Sequence, residues 1–322
     1  MAAPRISIFT PTYNAEKFLG STIESVLKQT FKDWELIIMD GGSKDKTLEI
    51  ARSFAKNDPR IKIFSEKDEG AWHAICKCAA VATGDFICFM PASDGYVNDR
   101  WYEECIKTVD AHPEVSLVWG VPFEINEDGS SRGPHFAYAH YLAQPVAGSR
   151  VAMLKEIGQR VVSMLNPHNF MRMIRKLSLN RLRTVAATLK PSVMPREEGW
   201  FFYWLKTGHF FPDANMFFSR QVYLDCSPKY VLGSKVQGGY MEIYYNFNAR
   251  GYLSYGLPIP ANYGRHHAGQ LNVVLQRKND EYTEWYMGEI AKLREKLKGQ
   301  KEMTFIGRNK QPIKTVLLEG KL

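Results

Sequence analysis

Residues 37–47, IIMDGGSKDKT, combine an acid at the tip of an apolar run with two glycines, a serine and a second acid. Gly41 and Gly42 allow backbone amides to approach a ligand closely, because neither residue carries a side chain. Asp40 is placed to accept a hydrogen bond from a nucleobase or a ribose. The pattern indicates a nucleotide-binding loop. The alternative is an ordinary turn in which Ser43 or Asp45 caps the next helix.

Asp94 stands in a similar setting in residues 89–97, FMPASDGYV, where small residues follow an apolar run. In open sheets of parallel strands, ligands bind at the carboxyl ends of the strands, and both acids would lie there. Ser-Asp-Gly is also a favourable turn sequence, so Asp94 has a purely local alternative. Neither stretch contains GxGxxG or GxxxxGK[ST], which argues against a nicotinamide dehydrogenase and a P-loop NTPase.

Strands and helices alternate over the first 120 residues and would position these loops. Apolar and β-branched runs predict strands at 6–10, 34–40, 61–65, 85–90 and 115–120, and helical spacing predicts helices at 15–29, 45–56, 71–82 and 98–111. Such alternation predicts an α/β fold with a doubly wound, mostly parallel sheet and flanking helices. A last amphipathic helix is predicted at 279–298. Its apolar face consists of Tyr286, Ile290, Leu293 and Leu297.

The positive charge of the chain is concentrated in one segment. The 322 residues carry a net charge of +8, and residues 150–196 contain ten Lys or Arg and one acid. We interpret residues 136–200 as a basic helical insertion, in which apolar and basic residues take opposite helix faces. The apolar face has Phe170, Met173, Ile174 and Leu177, and the basic face has Arg172, Arg175 and Lys176. The rest of the chain is nearly neutral.

The cysteines and the lack of targeting signals indicate the cellular compartment of the protein. Five cysteines occur without CxxC or Cys/His zinc spacing, and no Asn-x-Ser/Thr sequon is present. No stretch approaches the roughly 18 apolar residues of a membrane span, and no secretory signal is recognisable. We expect a cytoplasmic protein, with peripheral association with the inner face of the membrane as a further possibility.

Two long stretches resemble the nucleotide-binding half of family 2 glycosyltransferases, the inverting enzymes of GT-A fold. They read ISIFTPTYNAEKFLGSTIESVLKQTFKDWELIIMDGGSKDKT and DEGAWHAICKCAAVATGDFICFMPASDGYV. The resemblance covers roughly residues 5–120 in unbroken order, with weaker echoes at 213–269. It implies a GT-A type sheet that binds a nucleotide sugar.

The resemblance also assigns roles to the donor-side residues. Thr10, Pro11, Tyr13 and Gly41 would line the nucleotide pocket, Asp40 would bind the base, usually uracil, and Asp68 and Gly70 would lie beside the nucleotide and sugar. Family members usually carry two adjacent acids where this chain has Ser93 and Asp94, and the last acid binds a divalent cation. Asp94 would therefore hold Mn²⁺ or Mg²⁺ on the diphosphate, with Ser93 beside it. An oxygen-bound cation stabilises the charge that the leaving diphosphate gains.

An inverting transfer also needs a base for the acceptor hydroxyl. The family keeps this acid at the start of a helix, in a stretch like DYELWLRLARRG, which residues 240–251, YMEIYYNFNARG, resemble with Tyr240 in place of the leading acid. Glu242 is our candidate base, and Glu197 and Glu198 compete for the role. In GRHHAGQ, His266 or His267 would complete the metal shell or contact phosphate, unless they are ordinary loop histidines.

These assignments predict four parts of the chain and one reaction. Residues 1–125 form the nucleotide-sugar-binding half, 136–200 the insertion, 201–275 the acceptor-side half, and 276–322 a C-terminal helix and tail. The chain would transfer a sugar, from a UDP-linked donor, to a hydroxyl of a glycan or lipid-linked saccharide. The alternatives are a degenerate relative that binds without catalysis and a nucleotidyltransferase, which usually has a Gly-rich loop after its first strand.

The basic insertion has three interpretations. A cationic amphipathic segment fits an anionic membrane surface, and an acceptor carried on a lipid diphosphate would favour the same positive field. A solvated basic subdomain that covers the acceptor side is the second. Nucleic acid is the third and is disfavoured, because no recognised recognition motif accompanies the charge.

Overall fold

The computed structural model describes residues 3–135, 198–208, 215–228, 239–268 and 279–321, together with Tyr138 and Leu142. Contacts divide the chain into two compact units, one of residues 1–134 and 195–322 and the other of residues 135–194. The described elements belong to the first unit. The helices predicted within the basic insertion, and the basic residues 150–196, lie outside the described residues.

The first unit alternates strands and helices and then adds helices and strands from the second half of the chain. The strands are β1 Ile6–Thr12, β2 Trp34–Asp40, β3 Ile61–Ser65, β4 Phe86–Phe89, β5 Gly95–Tyr96, β6 Val115–Ile125, β7 Ser131–Pro134, β8 Phe217–Ser219, β9 Leu253–Arg265, β10 Glu302–Ile306 and β11 Pro312–Leu317. The helices are α1 Leu19–Leu27, α2 Thr47–Ala55, α3 Ala71–Val81, α4 Trp101–Ala111, α5 Glu198–Thr207, α6 Arg220–Cys226, α7 Gly239–Ala249 and α8 Asn279–Lys298.

One curled sheet contains strands from both halves of the chain. Its order is β3-β2-β1-β4-β8-β6-β9-β5, with β7 paired to β6. The pairs β3-β2, β2-β1, β1-β4 and β6-β9 are parallel, whereas β8 is antiparallel to both β4 and β6. The predicted doubly wound, mostly parallel sheet is confirmed. Strands β8 and β9, from the second half of the chain, lie within it, and Phe217 and Ala261 on these strands belong to the same core as the first strands.

Burial on both faces of the sheet explains the continuous apolar runs of the first strands. All seven residues of β2 are buried, and β4 is buried throughout. Helix α8 also matches its prediction, because Tyr286 and Ile290 are fully buried and Leu293 and Leu297 nearly so. Beyond α8, the C-terminal tail forms the antiparallel hairpin of β10 and β11.

Strand register brings the loops of interest to one edge of the sheet. Thr12, the last residue of β1, pairs with Asp40, the last residue of β2, and Asp40 pairs with Ser65, the last residue of β3. The carboxyl ends of the three strands therefore coincide, and the loops that follow them are neighbours. Within the part of the chain that the structure describes, no helix has the length and apolar character needed to span a membrane.

Candidate functional site

The loops after β1 and β2 are joined by hydrogen bonds. The amide of Asn14 donates to Ser43 Oγ at 2.9 Å, and the amide of Lys44 donates to Asn14 Oδ1 at 2.9 Å. Asn14 has a φ of +47°, which asparagine tolerates better than most residues because its short side chain bonds nearby backbone. The reciprocal bonds fix both loops as one surface. Tyr13 projects from this surface with 62% of its side chain exposed.

Asp40 organises the loop that it begins. Its carboxylate is completely buried and accepts hydrogen bonds from the amide of Gly42 at 3.1 Å, the amide of Ser43 at 3.2 Å and the hydroxyl of Ser65 at 2.7 Å. The Ser43 hydroxyl also donates to it. These four donors match the roughly four acceptor sites of a carboxylate. The structure therefore shows Asp40 holding the loop, and its contact with a base stays a prediction.

Gly41 and Asp68 are packed against each other. A Cβ on Gly41 would lie 2.6 Å from Asp68 Oδ2, so a larger residue there would displace this carboxylate. Asp68 Oδ1 accepts a hydrogen bond of 2.8 Å from the amide of Gly70, which precedes α3 with a φ of +115°. The amide of Gly41 in turn donates to the carbonyl of Thr12 at 2.9 Å. The structure thus brings the predicted donor-side residues of three loops together.

Two of the predicted pocket residues are part of strand β1 itself. Thr10 is completely buried, and its hydroxyl has no hydrogen-bond partner in the described structure. Pro11 is partly exposed two residues before Tyr13. Because Thr10 and Pro11 lie in β1 beside Ile38 and Met39 of β2, they form the floor from which the joined loops rise.

Asp94 is a buried carboxylate with few donors. Its Oδ1 accepts a hydrogen bond of 3.1 Å from the amide of Arg265 and a long one of 3.3 Å from the Ser93 hydroxyl. Burial raises the pKa of Asp94 to about 6, even though these bonds and the charges of Arg265 and His266 lower it. Removal from water thus outweighs its partners, and an additional cation would stabilise its charged form.

The turn that carries Asp94 is held from two sides. The hydroxyl of Thr22, on α1, donates to the Asp94 carbonyl at 2.6 Å and to the Ala92 carbonyl at 3.1 Å. The guanidinium of Arg265 donates to the carbonyls of Ser93 and Glu127, each at 3.1 Å. Arg265 is the last residue of β9, so the carboxyl end of this strand holds the candidate metal ligand in place.

The two predicted histidines have different surroundings. His266 Nε2 lies 2.9 Å from Glu124 Oε1, which leaves Nδ1 as the ring nitrogen that this contact does not use. The ring of His267 lies 4.8 Å from that of Phe18, and burial lowers the pKa of His267, which favours the neutral ring that binds metals. Among the described residues, no group of three or more His, Cys, Asp or Glu side chains is arranged to hold a metal ion.

Helix α7 packs against the carboxyl end of β4 and the start of α3 through Tyr240. The ring of Tyr240 lies 5.6 Å from the ring of Trp72, at the start of α3, and 5.8 Å from the ring of Phe89, the last residue of β4. Glu242 stands in the first turn of α7. Burial raises the pKa of the half-buried Glu242 above its ordinary value, as a group that accepts a proton requires.

Of the two competing acids, Glu198 forms an ion pair and Glu197 lies outside the described residues. Glu198 begins α5, and its Oε1 lies 2.6 Å from Lys314 Nζ on β11. That ion pair connects α5 to the C-terminal hairpin and engages the carboxylate of Glu198. Glu197 lies outside the described residues. Glu242 therefore remains the candidate base that the described structure supports.

Comparison with known proteins shows the family and the fold. The family model "Glycosyl transferase family 2" matches residues 7–183, which is more than half of the chain. The chain belongs to glycosyl transferase family 2. A mannosyltransferase from Pyrobaculum calidifontis, solved with GDP-Man and Mn²⁺, superposes with a TM-score of 0.50 at 12% identity, over 94% of this chain and 77% of that one. The GT-A fold prediction is confirmed.

Two named relatives each match less than half of this family 2 chain. A PGL/p-HBAD biosynthesis glycosyltransferase from Mycobacterium bovis is 36% identical over 121 residues, 37% of this chain and 47% of the relative. The hyaluronan synthase of Pasteurella multocida is 32% identical over 127 residues, 39% of this chain and 13% of that enzyme. The chain thus spans about half the length of the mycobacterial relative and a much smaller share of the hyaluronan synthase.

Sequence reasoning missed several residues of this family 2 site. Ser65 completes the shell of Asp40, Arg265 holds Asp94, and Glu124 contacts His266. A signal existed for Ser65 and Arg265, because each stands at the carboxyl end of a sheet strand, where ligands bind. The pairing of Arg265 with a residue 171 positions earlier depends on the order of strands and leaves no local trace.

Proposed function

We propose that the chain is an inverting glycosyltransferase that moves a sugar from a UDP-linked donor to a hydroxyl of a glycan or lipid-linked saccharide. The observation that carries this proposal is the position of α7. In its first turn Tyr240 packs on Trp72 and Phe89. Glu242 stands in the same turn, and we infer that its carboxylate faces the edge where the donor-side loops end. Base and donor residues on one edge are what an in-line displacement at a sugar carbon needs.

The donor side would bind the nucleotide through the joined loops after β1, β2 and β3. Gly41 lacks a side chain, which lets the Asp68 carboxylate pack against the loop after β2 and holds the loops after β2 and β3 together. Tyr13 is exposed on the same surface and offers a ring to the base. Asp40 keeps the loop in the conformation that presents these groups. The pyrimidine specificity is part of the proposal and rests on the resemblance alone.

Asp94 fits a divalent cation as one ligand of a set completed by the donor. It is a buried carboxylate whose pKa is raised to about 6, so a positive charge beside it is electrostatically favoured. Mg²⁺ and similar ions are commonly held by one or two carboxylates together with substrate phosphates. His266 and His267 follow Arg265 on the same loop and are the candidates for a second protein ligand. A cation bound there supplies positive charge to the leaving diphosphate.

Glu242 would remove the proton from the acceptor hydroxyl through its carboxylate oxygen as that hydroxyl attacks the anomeric carbon. The attack comes from the face opposite the nucleotide, which inverts the configuration. A carboxylate with a raised pKa is a stronger base than an exposed one, and burial gives Glu242 that property. The same burial excludes part of the water that would compete with the acceptor.

Calorimetric titration with UDP and GDP, each with and without Mn²⁺, tests the donor half of the proposal. We expect metal-dependent binding of UDP that is lost in Asp94→Ala and kept in Asp33→Ala, an exposed acid before β2. Lack of binding of either nucleotide to the wild type would contradict the proposal and favour a non-catalytic relative. Binding that Asp94→Ala leaves intact would remove Asp94 from the metal site.

Turnover of UDP-N-acetylglucosamine and UDP-glucose, followed as UDP release, tests the base. Glu242→Gln should keep UDP affinity and lose turnover by about 10²-fold or more, as removal of a general base does. Glu49→Gln is the matched control, because Glu49 is an exposed acid in the first turn of α2. Full activity of Glu242→Gln would contradict the assignment and move it to Glu197 or Glu198.

A further inference from the structure

The start of α7 makes an unusually close contact with the indole of Trp72. A Cβ on Gly239 would lie 2.2 Å from Trp72 Cε2, 2.4 Å from Cζ2 and 2.5 Å from Cδ2. These are ring atoms of a side chain that is only 7% exposed, so they cannot move aside as the end of a flexible chain would. The indole therefore lies directly against the backbone of the first residue of α7.

Trp72 is itself fixed to the donor-side loop. It is the second residue of α3, and Gly70, just before that helix, donates its amide to Asp68 at 2.8 Å. Asp68 in turn packs against Gly41. A short and rigid stretch of backbone thus connects the carboxylate beside the nucleotide loop to the indole.

Glu242 is connected to the same contact from the other side. It follows Gly239 by three residues in α7, and residues with this spacing are neighbours on one side of a helix. Tyr240 is held between the rings of Trp72 and Phe89, which prevents α7 from turning about its axis at this end. The distance between the first turns of α7 and α3 is therefore set by the thickness of one indole ring.

We propose that Gly239 and Trp72 are positioning residues that together set the distance between the donor-side loop and Glu242. This inference rests on the proposed function, because it concerns the placement of the proposed base. A larger residue at 239 would lift the first turn of α7 from α3 by the room that a methyl group needs. A displacement of about 1 Å at a reacting group is enough to lower a rate by up to about 10²-fold.

The test compares Gly239→Ala, Trp72→Phe and the double variant with the wild type. We expect Gly239→Ala to lower kcat for UDP-N-acetylglucosamine turnover by at least about tenfold while the Kd for UDP changes less than about twofold. Trp72→Phe makes room for the added methyl group, so the double variant should recover kcat at least about fivefold over Gly239→Ala. Gly288→Ala, on α8 with open space around its Cβ position, is the matched control.

The outcomes separate this inference from the proposed function. A wild-type enzyme that turns over donor and depends on Glu242, together with an unchanged kcat in Gly239→Ala, would overturn the inference alone. Parallel losses of kcat and UDP affinity without recovery in the double variant would also overturn it, since they indicate general misfolding. If Gly239→Ala does not fold, Trp72→Ala replaces it and should lower kcat with UDP affinity kept. A wild type without turnover would contradict both claims.

Discussion

Two buried carboxylates lie at opposite ends of the same sheet, and their surroundings differ. Glu35, near the amino end of β2, accepts hydrogen bonds from the Ser7 hydroxyl at 2.6 Å and from the Thr83 amide and hydroxyl at 2.8 and 2.9 Å, and it pairs with Lys62. Asp94, beyond the carboxyl end of β4, has one amide donor at 3.1 Å and one distant hydroxyl.

The pKa values of the two groups express this difference. Burial alone would raise the pKa of Glu35, but Lys62, Ser7 and Thr83 more than compensate, and the pKa is lowered. At Asp94 burial prevails, and the pKa rises to about 6. A carboxylate whose burial is fully compensated belongs to the scaffold. A buried carboxylate that lacks such compensation is a better candidate for a ligand site.

Removal of the charge at Glu35 should give the largest change in stability. Glu35→Gln places an amide where Ser7, Thr83 and Lys62 all need an acceptor, and we expect a loss of about 2 kcal/mol in the free energy of unfolding. Urea denaturation measures this loss. Glu103→Gln, in an exposed pair with Arg100, should cost far less, because solvent screens the pair. Equal losses in the two variants would contradict the scaffold role.

The two carboxylates should also respond to pH with opposite sign. The folded pKa of Glu35 is lowered, so its contribution is present above the ordinary pKa of Glu and is lost as the pH falls through the lower folded value. The folded pKa of Asp94 is raised to about 6, so its cost is absent below the ordinary pKa of Asp, grows as the pH rises above that value, and is complete once the pH has passed about 6.

Stability curves of Glu35→Gln and Asp94→Asn in metal-free buffer would test this difference. The loss in the free energy of unfolding caused by Glu35→Gln should shrink below pH 4.5. The free energy of unfolding of Asp94→Asn should rise relative to that of the wild type between pH 4 and 7, by on the order of 1 kcal/mol. Parallel curves for the two variants would show that the ends of the sheet do not differ in this way.

The difference between local patterns and long-range contacts explains how much of the fold and of the candidate site the sequence could predict. The strands β1 to β4 and the loops after them follow from local patterns, because apolar runs, glycines and acids stand close together in the chain. The Arg265–Asp94 contact depends on strand order, since β9 must lie beside β5 and β6. Strand β8 has only three residues and gains its place from pairing with β4 and β6. Glu242 was predicted by resemblance, but the contacts of Trp72 with Gly239 and Tyr240 in the same helix required the structure.

Substitutions at Ser93 test whether Asp94 lacks compensation in the way that Glu35 does not, and they have the smallest expected effect. Ser93 occupies the position where relatives usually have a second acid, and Ser93→Asp would add a carboxylate beside the uncompensated one. In the presence of UDP we expect Mn²⁺ to bind several-fold more tightly, about 1 kcal/mol, because a cation gains a second charged ligand. Ser93→Ala should change the affinity little, since its hydroxyl lies 3.3 Å from Asp94. Weaker binding of Mn²⁺ to Ser93→Asp would mean that two carboxylates repel each other more than they share an ion, and that Asp94 is arranged to act alone.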